Sequence, residues 1–220
     1  MAEQLTFELP RKTALGVEDY FVSDANVLAS NLIENWHNWP EKRLLLLGPK
    51  GAGKTHLARI WADQSDAKFV DLQDFNATDE AVIEYPIVVE NLESLPRDAE
   101  ENLFHLLNLC AQSQQYILLT ARGGIGSWSI QLPDLESRLR QATQAEISEP
   151  DDELLLAVLL KQFQDRGLSP APNVVTYLKT HMPRSFEAVS ELVSRLDRKN
   201  LLERKKVSLG LARDVLAELS

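Results

Sequence analysis

Arg43-Leu44-Leu45-Leu46-Leu47-Gly48-Pro49-Lys50-Gly51-Ala52-Gly53-Lys54-Thr55-His56-Leu57-Ala58-Arg59-Ile60-Trp61 changes its periodicity across a glycine-rich turn. It opens on a short, continuous apolar run, the pattern of a parallel strand buried on both faces. It closes with Leu57, Ala58, Ile60 and Trp61 at helical spacing. Between the two, Gly48, Pro49, Lys50, Gly51, Ala52, Gly53, Lys54 and Thr55 match the P-loop pattern Gly-x-x-x-x-Gly-Lys-Thr without a mismatch. The strand–loop–helix context gives the match a mechanism. Glycines let the backbone curl so that its N–H groups face phosphates, and the following helix adds its positive dipole end. Lys54 is expected to reach the β- and γ-phosphates, the Thr55 hydroxyl to hold Mg²⁺, and His56 to lie near the nucleotide on the helix.

Further strands are expected at Lys68–Asp71, Pro86–Glu90, Tyr116–Thr120 and near Ala145–Ile147. Helices are expected at Ala25–His37 and Asp98–Ser113, the second with Leu103, Leu106, Leu107 and Cys110 on one face. Strands alternating with helices imply a parallel sheet sandwiched by helices. After Pro150 the pattern becomes helical only, over about 151–166, 171–181, 185–199 and 210–219. The organisation read from this is an N-terminal arm at 1–20, an α/β nucleotide-binding domain at 21–150 and a small all-helical domain at 151–220.

The composition suits that organisation. At 220 residues the chain fits one large domain or a domain with a satellite, and 44% hydrophobic with 25% charged residues is ordinary for a globular core. The 23 basic against 33 acidic residues leave a net charge of −10, which argues against a broad, non-specific grip on nucleic acid. The charge is uneven. From Asp71 to Glu101 ten acidic residues face one basic, Arg97, whereas from Arg195 to Asp214 seven basic residues face three acidic ones. These read either as solvated faces or as surfaces for different partners. A single cysteine excludes an internal disulfide framework and fits a reducing cytosol. With no apolar run of about 20 residues and no basic-then-apolar leader, a cytoplasmic protein with no membrane contact is expected.

P-loop hydrolysis needs an acidic group at a neighbouring strand end for the metal and a carboxylate that orients the attacking water. Here the third expected strand ends in Glu90-Asn91. Glu90 can take the metal side through water, but Asn91 cannot act as a base, so weak or no intrinsic ATPase is expected. In a second register Glu90 orients the water and Val89 takes the metal position. Glu93 is either a substitute carboxylate or a solvated helix residue.

The P-loop, the acidic strand end, the polar strand end at Thr120, the run Leu132-Pro133-Asp134-Leu135-Glu136-Ser137-Arg138-Leu139 and the closing helices resemble an AAA+ ATPase of the DnaA clade. Leu-Pro-Asp-Leu-x-Ser-Arg-Leu and Asn91 are similar to the DnaA-homologous regulators of that clade, which promote inactivation of the replication initiator DnaA. The resemblance implies a P-loop AAA+ core followed by a helical lid. It makes Arg138 an arginine finger acting in trans on ATP held by DnaA, with Thr120 at sensor 1 and Arg184 at sensor 2. Arg138 also reads as a surface helix arginine paired with Glu136 or its neighbours, and Arg184 as a helix-start residue. After Thr120, Ala121-Arg122-Gly123-Gly124 departs from the family's Asp-Arg-Pro-Pro. Phe21 and Val22, within Tyr20-Phe21-Val22, resemble the segment lining the family's adenine pocket and read equally as core.

In the arm, Gln4-Leu5-Thr6-Phe7-Glu8-Leu9 resembles the short motif by which these regulators bind the DNA polymerase sliding clamp, the beta subunit. An extended segment places Leu5, Phe7 and Leu9 on one side, with Gln4 free to hydrogen-bond a pocket rim, or packs as a strand on its own core. The implied protein binds ADP or ATP with Mg²⁺, the ADP form being the active one in the family. It regulates replication initiation negatively, contacts DNA only through the clamp, and associates with the nucleoid or replisome. Homo-oligomers through AAA+ interfaces are also implied. With the chain ending at Ser220, no helix-turn-helix domain is expected after the lid. The alternatives are an AAA+ helicase loader with its own ATPase and a DnaA-like DNA-binding adaptor, with Arg195–Lys206 as the DNA-touching stretch. The four histidines and single cysteine have no zinc spacing, and Cys110 reads as core.

Overall fold

The computed structural model of the chain describes residues 20–75, 83–203 and 206–219. β1 (Arg43–Leu47) is the apolar run before the P-loop, and all five of its residues are buried. It lies between β4 (Ile117–Ala121) and β5 (Thr143–Glu146), parallel to both, with Leu44 opposite Leu118 and Thr143. β3 (Ile87–Val89) pairs with β4, and the two-residue β2 (Lys68–Phe69) closes the edge, giving the order β2-β3-β4-β1-β5 with every pairing parallel. Full burial of β1, β3 and β4 is what a sheet covered on both faces requires.

The cover comes from α1 (Val27–Glu34), α2 (Lys54–Ser65), α3 (Ala99–Gln112) and α4 (Pro133–Gln141). Leu103, Leu106, Leu107 and Cys110 of α3 join Leu135 and Leu139 of α4 over Leu45, Leu119 and Ile117. Trp61 of α2, fully buried, packs with Trp39 at a ring separation of 5.1 Å and with Trp36 at 6.1 Å. The parallel strands β1, β3 and β4 send Gly48, Glu90 and Arg122 out from their carboxyl ends, where loops of such sheets gather ligands.

The chain divides into two compact units, Asp24–Glu149 and the residues from Pro150 onward, with Tyr20–Ser23 grouping in the second. The second unit holds α5 (Asp152–Asp165), α6 (Pro172–His181), α7 (Phe186–Glu203) and α8 (Leu209–Ala217). Leu159, Leu178, Val189, Leu192 and Leu196 form its core with Ala212 and Val215. Side-chain caps fix two of its helix starts. Asp151 accepts the Leu154 N–H at 2.7 Å, and Ser208 accepts that of Leu211 at 3.2 Å.

The expected strands and helices are present, with shifted ends. The first expected helix stops at Glu34 and continues as a 3₁₀ turn at Trp36–Asn38. The run expected at 185–199 extends to Glu203. Arg184 does not open a helix; it lies in the bend between α6 and α7, which starts at Phe186. No described helix is long and apolar enough to cross a membrane.

Candidate nucleotide-binding site

Gly48 leaves β1 with φ +158°, and a Cβ there would meet Ile147 Cβ and its carbonyl oxygen at 3.0 Å. Gly53, at φ 87°, turns the chain into α2 from the left-handed region, which glycine enters without a Cβ penalty. These two positions let the loop double back over the start of α2. Lys54, the first residue of that helix, is buried, and its Nζ donates to the carbonyls of Gly48 and Pro49 at 2.8 Å each. Burial lowers the Lys54 pKa. The Glu93 carboxylate opposes that shift, the Arg122 guanidinium adds to it, and Glu90 opposes it.

Thr55 faces solvent one residue on, and its hydroxyl donates to Glu90 Oε1 at 2.6 Å. Two residues 35 positions apart thus put hard oxygen donors side by side beside the loop. That suits Mg²⁺, which keeps several waters and takes one or two protein oxygens together with substrate phosphates. Among the described residues no cluster of three or more His, Cys, Asp or Glu gathers for a metal. His56 is half-buried on α2.

Asn91 follows at φ 61°, a conformation its short polar side chain tolerates, and starts a 3₁₀ turn at Leu92–Ser94. Its N–H donates to the Thr120 hydroxyl at 3.3 Å. Thr120 is 1% exposed, so its side chain serves the junction between two strand ends rather than an open surface.

Glu93 lies within that 3₁₀ turn, but it is not solvated. Its side chain is 15% exposed and its Oε1 forms an ion pair with Arg122 Nε at 2.8 Å, while Oε2 accepts the Arg122 backbone N–H at 3.0 Å. Trp128 donates its indole N–H to the Arg122 carbonyl at 2.8 Å, tying the same loop from the far side. Glu93 and Arg122 therefore join Glu90 and Lys54 in one charge cluster. The sequence reading missed the pair because no motif links positions 29 apart. A cleft of about 370 Å³ also opens beside Glu90, lined by Asp71, Gln73, Asn91 and Ser94 among others. It runs along the β2–β3 edge and includes no P-loop residue.

Arg138 lies elsewhere. It is half-buried on α4, which leads into the first residue of β5, near Arg43 at the start of β1, whose pKa is lowered by burial, with the Glu41 carboxylate opposing that shift and Arg138 adding to it. The P-loop leaves the other end of β1, about 13 Å along the strand at ~3.3 Å per residue. The carboxylate Glu136 is taken by Arg140, at 2.6 Å, and not by Arg138. Among the described residues Arg138 makes no ion pair. Its guanidinium lies over the Phe104 ring at 5.2 Å instead.

In the second unit, Arg184 is exposed and pairs with Asp152 at 3.2 Å. Phe21 and Val22 are half-buried and group with that unit. Arg195 and Lys199, expected as part of a basic surface, are engaged. Arg195 pairs with Glu191 at 2.6 Å, and Lys199 binds Glu218. Gln4, Leu5, Phe7 and Leu9 lie outside the described residues.

Residues 151–216 match the family model "Hda, lid domain". Over 98% of its length the chain is 24% identical to an uncharacterized protein of Haemophilus influenzae, of which it covers 99%. It is 25% identical over 203 residues to the chromosomal replication initiator protein DnaA of Lactobacillus delbrueckii subsp. bulgaricus, covering 80% of this chain and 44% of DnaA. The chain thus spans less than half the length of the DnaA relative. Domain III of DnaA from Thermotoga maritima superimposes with a TM-score of 0.76 at 17% identity, covering 91% of this chain and 95% of that one. AMPPCP-bound DnaA from Aquifex aeolicus superimposes at 0.64 and 17% identity, covering 90% and 69%.

Proposed function

Taking as premise a chain with the AAA+ fold of the DnaA clade and a lid resembling that of Hda, we propose an adenine-nucleotide-binding negative regulator of DNA replication initiation. Docked on the DNA polymerase sliding clamp through Gln4, Leu5, Phe7 and Leu9, it presents Arg138 to ATP held by DnaA and stimulates its hydrolysis.

The observation that carries this reading is Arg138 itself. A guanidinium without a carboxylate partner among the described residues, on the helix feeding the opposite end of the sheet from its own P-loop, is poorly placed for that loop and well suited to another subunit's nucleotide. Such a group neutralises charge developing on the transferred phosphoryl, and fingers of this kind raise turnover by ~10³–10⁵. The chain's own hydrolysis is weak on this reading, because Asn91 offers an amide where a water-orienting carboxylate is needed and Glu93 is tied to Arg122.

The chain's own site binds ADP or ATP as a regulatory ligand. Lys54 supplies the charge for the phosphates, and its bonds to Gly48 and Pro49 hold the loop in a receptive curl. Thr55 and Glu90 would hold Mg²⁺, the latter through water, and the ion would neutralise phosphate charge there. His56 flanks the loop. Thr120 keeps the β3 and β4 ends in register, Phe21 and Val22 contribute to adenine recognition, and Arg184 reads the phosphates. DNA is reached through the clamp, in keeping with the net charge of −10 and the internal pairing of Arg195 and Lys199. AAA+ interfaces also allow self-association.

The test follows ATP bound to DnaA. DnaA pre-loaded with labelled ATP is mixed with this protein and clamp-loaded DNA, comparing the parent with Arg138→Ala and with Gln4→Ala/Leu5→Ala. Rapid conversion to ADP, abolished by both variants, is the expected result. No acceleration by the parent, with its own nucleotide binding intact, overturns the reading in favour of a helicase loader.

A further inference from the structure

Resting on that reading of Arg138, we infer that Glu100 and Phe104, one turn apart on α3, are the positioning residues that set the finger's direction. Glu100 is 5% exposed, yet it carries a carboxylate. Burying such a group is costly unless it is hydrogen-bonded. Its partners are backbone donors in the segment that starts α4. The Gln131 N–H reaches Oε1 at 3.1 Å and Oε2 at 2.9 Å, and the Leu132 N–H reaches Oε2 at 2.9 Å. These donors precede Pro133, which opens α4 and has no N–H of its own. The carboxylate therefore fixes where and at what angle α4 begins.

Phe104 lies four residues further along α3, on the same face of the helix. Its ring carries the Arg138 guanidinium at 5.2 Å. Leu135 and Leu139, flanking Arg138 at one-turn spacing, are buried at 0% and 1% and stop α4 from rotating. The buried Arg43 guanidinium is paired with Glu41 at 3.5 Å, and the neighbouring Glu136 is taken by Arg140. An arginine rests on an aromatic face without giving up its hydrogen-bond donors, whereas a carboxylate partner would occupy them. Phe104 thus holds the guanidinium while leaving its N–H groups for an incoming phosphate. A structural phenylalanine would need only its volume, and a structural glutamate would not need to be charged.

The experiment uses the full chain in the DnaA assay above, with Phe104→Leu, Phe104→Tyr, Glu100→Gln and Arg138→Ala, alongside urea unfolding and titration of the chain's own nucleotide. Phe104→Leu keeps apolar volume and loses the π-face. It should slow stimulated hydrolysis roughly three- to tenfold at saturating protein, with own-nucleotide affinity unchanged and Phe104→Tyr restoring the rate. Glu100→Gln should slow it only about two- to threefold, because the amide oxygen in the Oε2 place still accepts both N–H groups while the charge is lost and the N–H₂ in the Oε1 place faces the Gln131 N–H. In a double-mutant cycle, Phe104→Leu and Arg138→Ala should be non-additive by about two- to fivefold in the unfolding constant.

Full stimulation by Phe104→Leu, where Arg138→Ala abolishes it, overturns the positioning role and leaves the proposed function standing. An additive cycle, or a Phe104→Leu protein that loses nucleotide binding and stimulation together, also overturns it. Absence of stimulation by the parent overturns both inferences.

Discussion

Replacing Gly48 with alanine tests how the P-loop is held against the sheet. The added Cβ would sit 3.0 Å from both Ile147 Cβ and the Ile147 carbonyl oxygen, and 3.5 Å from Ala52 Cβ. Ile147 cannot retreat. It is fully buried, and its N–H donates to the Leu47 carbonyl at 2.8 Å, one residue before the mutated position. Overpacking of this kind costs ~1–3 kcal/mol. Holding a non-glycine residue at φ +158° adds a further ~1–2 kcal/mol. The sum, about 2–5 kcal/mol, corresponds to a melting temperature lower by roughly 4–20 °C at this chain length. Because Lys54 donates to the Gly48 carbonyl, any relief by moving the loop also moves that lysine, so nucleotide affinity falls with stability.

Gly124→Ala is the matched control. That glycine has φ −78°, and a Cβ there meets nothing within 4 Å. The substitution should leave the melting temperature level or raise it slightly, through a gain of ~0.4–1 kcal/mol from reduced unfolded-state entropy. Thermal melts and titration with a fluorescent ATP analogue measure both effects. A Gly48→Ala protein that melts with the parent and binds nucleotide equally well would refute the argument that Ile147 fixes the loop.

Thr55→Val and Glu90→Gln should each remove the Mg²⁺-dependent part of nucleotide affinity while leaving affinity in EDTA near the parent value, as calorimetry would show; an effect equal in both buffers would contradict the metal-side assignment. Asn91→Asp keeps the φ of 61° accessible and restores a carboxylate, so single-turnover assays should show intrinsic ATP hydrolysis rising by ~10² or more. An unchanged rate would place the attacking water elsewhere. Burial pushes the Cys110 thiol up from 9.0 to about 12. The folded protein should therefore resist a thiol reagent at pH 8 that modifies it in urea. The sign of the linkage follows. Below pH 9.0 the thiol is protonated in both states; above it only the unfolded chain ionises, so stability declines toward pH 12 by up to ~1.4 kcal/mol per pH unit. Cys110→Ala should lose that part of the alkaline slope in urea titrations.

The strand, loop and start of α2 were legible because each depends on local chemistry. Four leucines in a row need burial on both faces, and glycines at positions 48 and 53 need conformations or approaches that other residues resist. The Thr55–Glu90 contact was legible through a shared pattern, since a strand end facing a P-loop is a recurrent context for an acidic residue. The contacts that tune the site were not. Glu93 looked like one more charge in an acidic stretch, and only the return of the chain at Arg122 makes it a buried partner. Glu136 stands two residues from Arg138, a spacing that does not face it on a helix, and Arg140, one turn on, is the one that takes it. Phe104 shows the same limit. Helical spacing places it beside the apolar stripe of α3, yet nothing local says that an arginine 34 positions on will cover it.

The two ends of β1 separate two kinds of chemistry. Its carboxyl end carries a curled loop, a buried lysine and a pair of metal-side oxygens; its amino end carries Arg43, paired with Glu41 at 3.5 Å, and faces Arg138, which makes no ion pair among the described residues. Keeping like charges close is unfavourable unless something offsets it, and here the offsets are the Glu41 carboxylate on Arg43 and the Phe104 ring under Arg138. On the proposed function, that end of the sheet is completed by a neighbour's phosphates. The distance along β1 then makes the two chemistries separable. Loss of Lys54 should weaken the chain's own nucleotide binding and spare the Phe104–Arg138 coupling in urea. Loss of Phe104 should do the reverse. A variant at either end that altered both readouts equally would mean that the sheet does not insulate them.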